Sequence, residues 1–168
     1  KAPIHKIRYN SGARSGDLVI LTKGLGTGIL NTAIKRGELS EEDYTGLINS
    51  MIRLNDDAAN LLKDFDIGGV TDVTGFSLMG HGMELAVASH IKLKFYASQL
   101  PVLSGALNAA EQGHITRGDK SNRNYTEGFS EIGRVNNTIQ QICFDPQTSG
   151  GLLITVRPAE AQKLLSQL

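Results

Sequence analysis

Apolar positions along the chain recur with two periods, near two and near three and a half, and the alternation between them lays out the elements. Residues 17–22, DLVILT, form a short β-branched run that reads as a buried strand. Residues 27–36 carry Leu30, Ala33 and Ile34 on one helical face and stop at Gly37. Ser40 then caps a helix whose first turn, Glu41, Glu42 and Asp43, complements the helix dipole. The stripe Leu47, Met51, Leu54, Ala58, Leu62 and Phe65 steps by three or four, predicting one long helix with Asp56, Asp57 and Asn60 on its solvated side.

A second strand is expected at 69–73, followed by a helix over 76–89 marked by Phe76, Met79, Met83, Ala86 and His90. Residues 91–97, IKLKFYA, alternate like a half-exposed strand, and 104–111 read as a short helix closed by Gly113. The polar stretch 114–127, HITRGDKSNRNYTE, reads as a long loop, with short strands at 131–135 and 142–144. A strand over 152–156 and a helix from Pro158 complete the series. Helices alternating with short, hairpin-spaced strands predict an α+β sheet with helices packed on it.

Composition narrows the functional classes. Lys plus Arg and Asp plus Glu each total 17 in 168 residues, and the basic residues do not cluster, so no nucleic-acid stripe is present. No apolar run approaches the ~20 residues that cross a bilayer. One cysteine, Cys143, excludes an internal disulfide and fits a reducing, cytoplasmic setting. Nineteen glycines exceed the usual ~7% of residues, and several fall in three segments that stand out from the rest.

The first of these is GGVTDVTGFSLMGHG, residues 68–82. Asp72 stands between Thr71 and Thr74 where a strand pattern gives way to a helix pattern. A carboxylate there, beside a helix start with free N–H groups, pairs a hard oxygen ligand with phosphate donors, as a magnesium-nucleotide site requires. A tight strand–helix turn with Thr74 as N-cap is the competing reading. The second is FDPQTSGGLL, residues 144–153, in which Asp145-Pro146 sets a turn, Thr148 and Ser149 supply hydroxyls, and Gly150-Gly151 allows close backbone approach. The third is LTKGLGTG, residues 21–28.

In this order the three segments resemble the selenophosphate synthetases (selenide, water dikinases), within the aminoimidazole ribonucleotide synthetase-like ATP enzymes. The resemblance runs from Gly16 to about Pro158. It implies the C-terminal domain of such an enzyme, a mixed β-sheet flanked by helices. The reaction implied splits ATP into AMP, selenophosphate and phosphate, with Mg²⁺ as cofactor, ATP and selenide as ligands, and a cytoplasmic homodimer as the full-length protein. The family's Cys or selenocysteine, its essential Lys and most of its metal-binding aspartates lie in an N-terminal domain that has no counterpart here, so the resemblance expects the chain alone to be inactive. On this reading residues 1–16 are a linker from that domain, and 17–168 are a C-terminal domain cut at its end.

By the same resemblance Asp72 is the one metal-binding aspartate of the domain, while Thr74, Gly75, Thr148, Ser149 and Gly150 are candidates for lining the cleft. No residue of the chain is expected to be catalytic. The chain departs from the family at Gly24, where Pro is usual, and at Ser77, where Gly is usual. Ser77 is expected to sit in the first helical turn, where a small polar residue is tolerated. Related ATP enzymes, a ribonucleotide cyclising synthetase or a thiamine-phosphate kinase, and a non-catalytic dimerisation module are the alternatives.

The remaining candidates read as structural. Cys143 is expected as a buried strand thiol. His81 could orient a phosphate or pack a helix, and Lys23 could meet a phosphate or stand in solvent. His5, His90 and His114 lack partners at metal-ligand spacing.

Overall fold

The computed structural model describes residues 7–168, which leaves the expected role of residues 1–6 and of His5 outside the described residues. Strand β1 spans Leu18–Leu21, β2 Ile67–Asp72 and β3 Leu152–Val156. Between and after them run helices α1 (Thr27–Arg36), α2 (Glu41–Ile52), α3 (Asp56–Leu61), α4 (Ser77–Ser89), α5 (Ala106–Glu111), α6 (Arg117–Tyr125), α7 (Asn137–Phe144) and α8 (Pro158–Leu165).

β3 is the centre of the sheet, antiparallel to β1 on one side and to β2 on the other. All five of its residues are buried, because helices cover both faces. Leu153 packs with Leu25, Ile29, Leu30, Leu47, Val73, Leu78 and Ile142, which brings α1, α2, α4 and α7 together on one side. Leu152, Ile154 and Val156 face Ile20, Leu62, Phe65, Ile67, Ala161 and Leu164 on the other. Each such aliphatic side chain removed from water contributes about 1.5–3 kcal/mol, which fixes the register of β3 against its neighbours. Asp72 pairs with Leu152, and Thr22 donates its N–H to the Leu152 carbonyl (3.1 Å). The ends of β1 and β2 therefore meet at the start of β3, where all three motif segments converge.

The α+β class expected from the sequence holds. Every described strand pairing is antiparallel, and the parallel component is the isolated bridge between Leu25 and Val102. Several local expectations are corrected. The single long helix is two, because Arg53 turns extended (φ −63°, ψ 121°). The break frees the Arg53 carbonyl for Lys23 and brings the Asn55 amide to the Gly150 carbonyl.

The polar segment expected as a loop contains α6. This helix is stabilised by the Asp119–Arg123 pair (2.9 Å) one turn apart and by burial of Asn122, neither of which leaves an apolar stripe. Residues 91–97 keep their alternating exposure but join no ladder among the described residues, and 131–135 are irregular. Residues 142–144 lie in α7, whose N-cap Asn136 accepts from the Ile139 N–H (2.8 Å). β1 is an edge strand rather than a buried one, with Leu18 half exposed.

No helix among the described residues is long and apolar enough to cross a membrane.

Candidate functional site

Residues 145–151 tie the other two motifs together through hydrogen bonds. The Asp145 carboxylate accepts the Gly28 and Ile29 N–H groups (2.9 and 3.1 Å). The Gln147 Oε1 accepts those of Gly26 and Thr27 (3.1 and 3.2 Å). The four amides at the start of α1 are thus satisfied by side chains from across the fold, so this helix end has no open donors for a phosphate. Thr148 N–H donates to the Thr27 hydroxyl (2.8 Å), and Gln147 N–H to the Thr74 carbonyl (2.9 Å). Val73 N–H donates to the Gly151 carbonyl (2.9 Å). Glycine is required at 150, where any Cβ would overlap the Val73 carbonyl oxygen.

That scaffold holds the strand–helix junction that carries Asp72. Along residues 72–74 exposure alternates: Asp72 is exposed, Val73 fully buried and Thr74 half-buried, so Asp72 and Thr74 share the face opposite the core. The Asp72 carboxylate has no hydrogen-bond or ion-pair partner among the described residues, and they contain no cluster of three acidic, His or Cys side chains that would hold a metal alone.

Thr74 is not an N-cap. Its hydroxyl lies 3.0 Å from His81 Nε2, and α4 starts without a side-chain cap. His81 is buried, its Nδ1 3.2 Å from Glu84 Oε2, and the Tyr125 hydroxyl donates to Glu84 Oε1 (2.9 Å). Phe76 stacks on Tyr125 (4.9 Å between ring centroids). The Asn122 amide donates to the Gly75 and Phe144 carbonyls (3.1 and 3.0 Å), so α6 clamps the loop ahead of α4.

Ser77 opens α4, in the first turn where it was expected, but it is not easily tolerated there: its φ is +67°, in the left-handed region, and its fully buried hydroxyl has no partner among the described residues. A residue with a Cβ is strained there, which gives the glycine usual in the resembled family its physical reason. At the other departure, Gly24, a Cβ would come within 3.1 Å of the Leu103 side chain, so space as well as turn stiffness governs that position.

Three buried or half-buried groups titrate abnormally. Burial pushes the Asp145 carboxyl up to about 7, against the Ile29 and Gly28 amides that favour its charged form. Lys23 is neither solvated nor free for a phosphate: Nζ donates to the Arg53 and Ser149 carbonyls (2.5 and 2.9 Å), and burial followed by the nearby Arg53 charge lowers its pKa. Burial raises the Cys143 thiol to about 11, which keeps it protonated and unreactive, though on a helix rather than a strand.

Of the residues singled out from the sequence, Asp72, Thr74 and Gly75 lie on one exposed junction, and Thr148 and Ser149 are exposed in the adjoining turn, while Gly150 is buried beneath it. A cleft of about 1090 Å³ runs between β1 and residues 90–101, and none of these candidates lines it. The junction is an open surface. Sequence reasoning passed over Gln147, Asn122 and Glu84. Gln147 stood inside a quoted motif, and its amide was the signal; Asn122 stands in a polar segment without an apolar pattern, and Glu84 on a predicted helix whose pattern marks only its apolar positions.

Residues 14–168 match the family described as AIR synthase related protein, C-terminal domain. The chain is 39% identical over 165 residues to a selenide, water dikinase of Clostridioides difficile, covering 98% of this chain and 47% of that protein. It is 40% identical over 164 residues to one of Pelobacter propionicus, covering 97% and 47%. The chain thus spans about half the length of the curated relatives it matches.

Among solved structures, the hydrogenase maturation protein HypE is similar at a TM-score of 0.67 and 16% identity, over 95% of this chain and 41% of that one. A thiamine-monophosphate kinase from Stenotrophomonas maltophilia follows at 0.62 and 19%, over 95% and 45%. At these identities the likeness concerns the fold.

Proposed function

The chain belongs to the family of AIR synthase related proteins, as their C-terminal domain, and from that premise we propose that it is the C-terminal half of a selenide, water dikinase. The reaction would convert ATP, selenide and water into selenophosphate, AMP and phosphate. Residues 1–16 would link residues 17–168 to an ATP-binding domain that carries the remaining catalytic groups.

The observation that carries the reading is Asp72. It is an exposed carboxylate without a partner among the described residues, on a backbone junction held by Gln147 and Gly151 of the neighbouring motif and by Asn122 of α6. Mg²⁺, when bound, would neutralise phosphate oxygens during phosphoryl transfer. The residues present fit one part of such a site: a hard anionic oxygen, held rigidly and facing outward, but too few ligands to bind a cation tightly alone. Asp72 would close the site from this side when the two domains meet. The Asp145–Gln147 turn and the Asn122 clamp would hold Asp72 at a fixed height relative to the partner domain, so that the carboxylate needs no reorganisation as charge develops. Thr148 and Ser149, exposed beside it, would line the cleft formed where the two domains meet.

The test uses the full-length enzyme. Asp72→Asn keeps the side chain's shape and removes its charge, and should lower selenide-dependent AMP formation by roughly 10²-fold or more with little change in melting temperature. Turnover close to wild type at ordinary Mg²⁺ concentrations would sink the metal role. Phosphorylation of thiamine monophosphate without any need for selenide would place the protein with the kinases instead.

A further inference from the structure

The junction that carries Asp72 also holds a hydroxyl, an imidazole, a carboxylate and a phenol joined in one line, and Asp72 alone gives no account of them. Glu84 is the anchor. Its Oε1 accepts the Tyr125 hydroxyl (2.9 Å) and its Oε2 faces His81 Nδ1 (3.2 Å). A carboxylate can only accept, so the proton of His81 sits on Nδ1. In a neutral ring Nε2 is then an acceptor, and the group it faces at 3.0 Å, the Thr74 hydroxyl, must donate to it. The Thr74 proton is committed inward, and Oγ1 keeps only lone pairs for whatever lies outside.

A hydroxyl prepared in this way is a poor partner for a phosphate oxygen, which needs a donor, and a good one for a cation. Thr74 shares the exposed face with Asp72, two residues before it, because Val73 between them is fully buried. The line is also built to hold its shape. His81 is buried, Phe76 packs against both His81 and Tyr125 (5.7 and 4.9 Å between centroids), and a Cβ at Gly80 would crowd Phe76, so the ring stack depends on the helix start as it stands.

We propose that Thr74 is a second, neutral oxygen ligand for the cation that Asp72 holds, and that His81 and Glu84, with Tyr125, are positioning residues that turn its lone pairs outward. The inference rests on the Asp72 reading and adds to it a ligand and the device that orients it. It also assigns a direction to the site: Thr74 faces the metal rather than the phosphate.

The experiment measures binding of Mn²⁺, as a paramagnetic stand-in for Mg²⁺, to the full-length protein at pH 8 without nucleotide, by the loss of free-ion electron paramagnetic resonance signal, alongside a melting curve. Thr74→Val keeps the shape and removes the oxygen, and should weaken Mn²⁺ binding several-fold, whereas Thr74→Ser should bind like wild type. His81→Phe keeps a ring in the stack and removes the acceptor; it should weaken Mn²⁺ binding less than Thr74→Val, and the double variant should bind about as weakly as Thr74→Val alone. Asp72→Asn is measured in the same series. Unchanged binding by Thr74→Val, with Asp72→Asn impaired, overturns the proposal and leaves the Asp72 reading standing. Unchanged binding by Asp72→Asn removes the ground for both. Equal weakening by Thr74→Val and Thr74→Ser also overturns it, since the serine keeps the ligand atom.

Discussion

Replacing Ser77 by glycine should make this protein more stable, although it deletes a side chain from the interior. At φ +67° a Cβ costs roughly 1–2 kcal/mol relative to glycine. The hydroxyl is fully buried without a partner among the described residues, and the unmet hydrogen bond of such a group costs about 1–3 kcal/mol. Against these gains, a glycine loses more backbone freedom on folding, about 0.5–1 kcal/mol.

The balance favours Ser77→Gly by about 2 kcal/mol, which for a chain of this size raises the melting temperature by roughly 4–8 °C. Ser77→Ala separates the two contributions, because it removes the hydroxyl and keeps the strained Cβ; it should gain about half as much. Thermal unfolding of the three proteins followed by circular dichroism gives the order glycine, alanine, wild type. A glycine variant that melts at or below wild type would refute the reasoning, and an alanine variant equal to it would show that φ carries no strain.

Two further outcomes follow from the turn between α7 and β3. Asp145 has a folded-state pKa of about 7, above the ordinary carboxylate value, so the native state holds its proton more tightly than the unfolded chain. Its contribution to stability is full below about pH 4 and is lost as pH rises through 7; Asp145→Asn should flatten that decline in urea midpoints measured from pH 5 to pH 7.5, and a slope as steep as wild type would contradict the assignment. Gly150→Ala forces a Cβ into the Val73 carbonyl and should cost roughly 1–3 kcal/mol, read as a lower melting temperature, with faster amide exchange concentrated at Val73, whose N–H donates to the Gly151 carbonyl.

Much of this protein was legible because local chemistry decides it. Helices α1, α2, α4 and α5 and strand β3 announce themselves through apolar period and through caps such as Ser40 and Gly37, each of which acts within a few residues of chain. The three motifs could be found for the same reason, since their glycines and carboxylates answer backbone demands at their own positions.

What the sequence could not settle depends on partners distant along the chain. The helix break at Arg53 is stabilised by Lys23 and Gly150, and α6 by the carbonyls that Asn122 reaches, so no local pattern marks either. From the sequence Lys23 could meet a phosphate or stand in solvent; the fold gives its ammonium to two distant carbonyls instead. The strain at Ser77 is invisible in its name, because φ is set by how β2 and α4 are held against β3. Asp72 could be singled out from the sequence as a candidate ligand; its exposure, its company with Thr74 and the rigidity of its support are properties of packing, which brings together residues that the chain keeps apart.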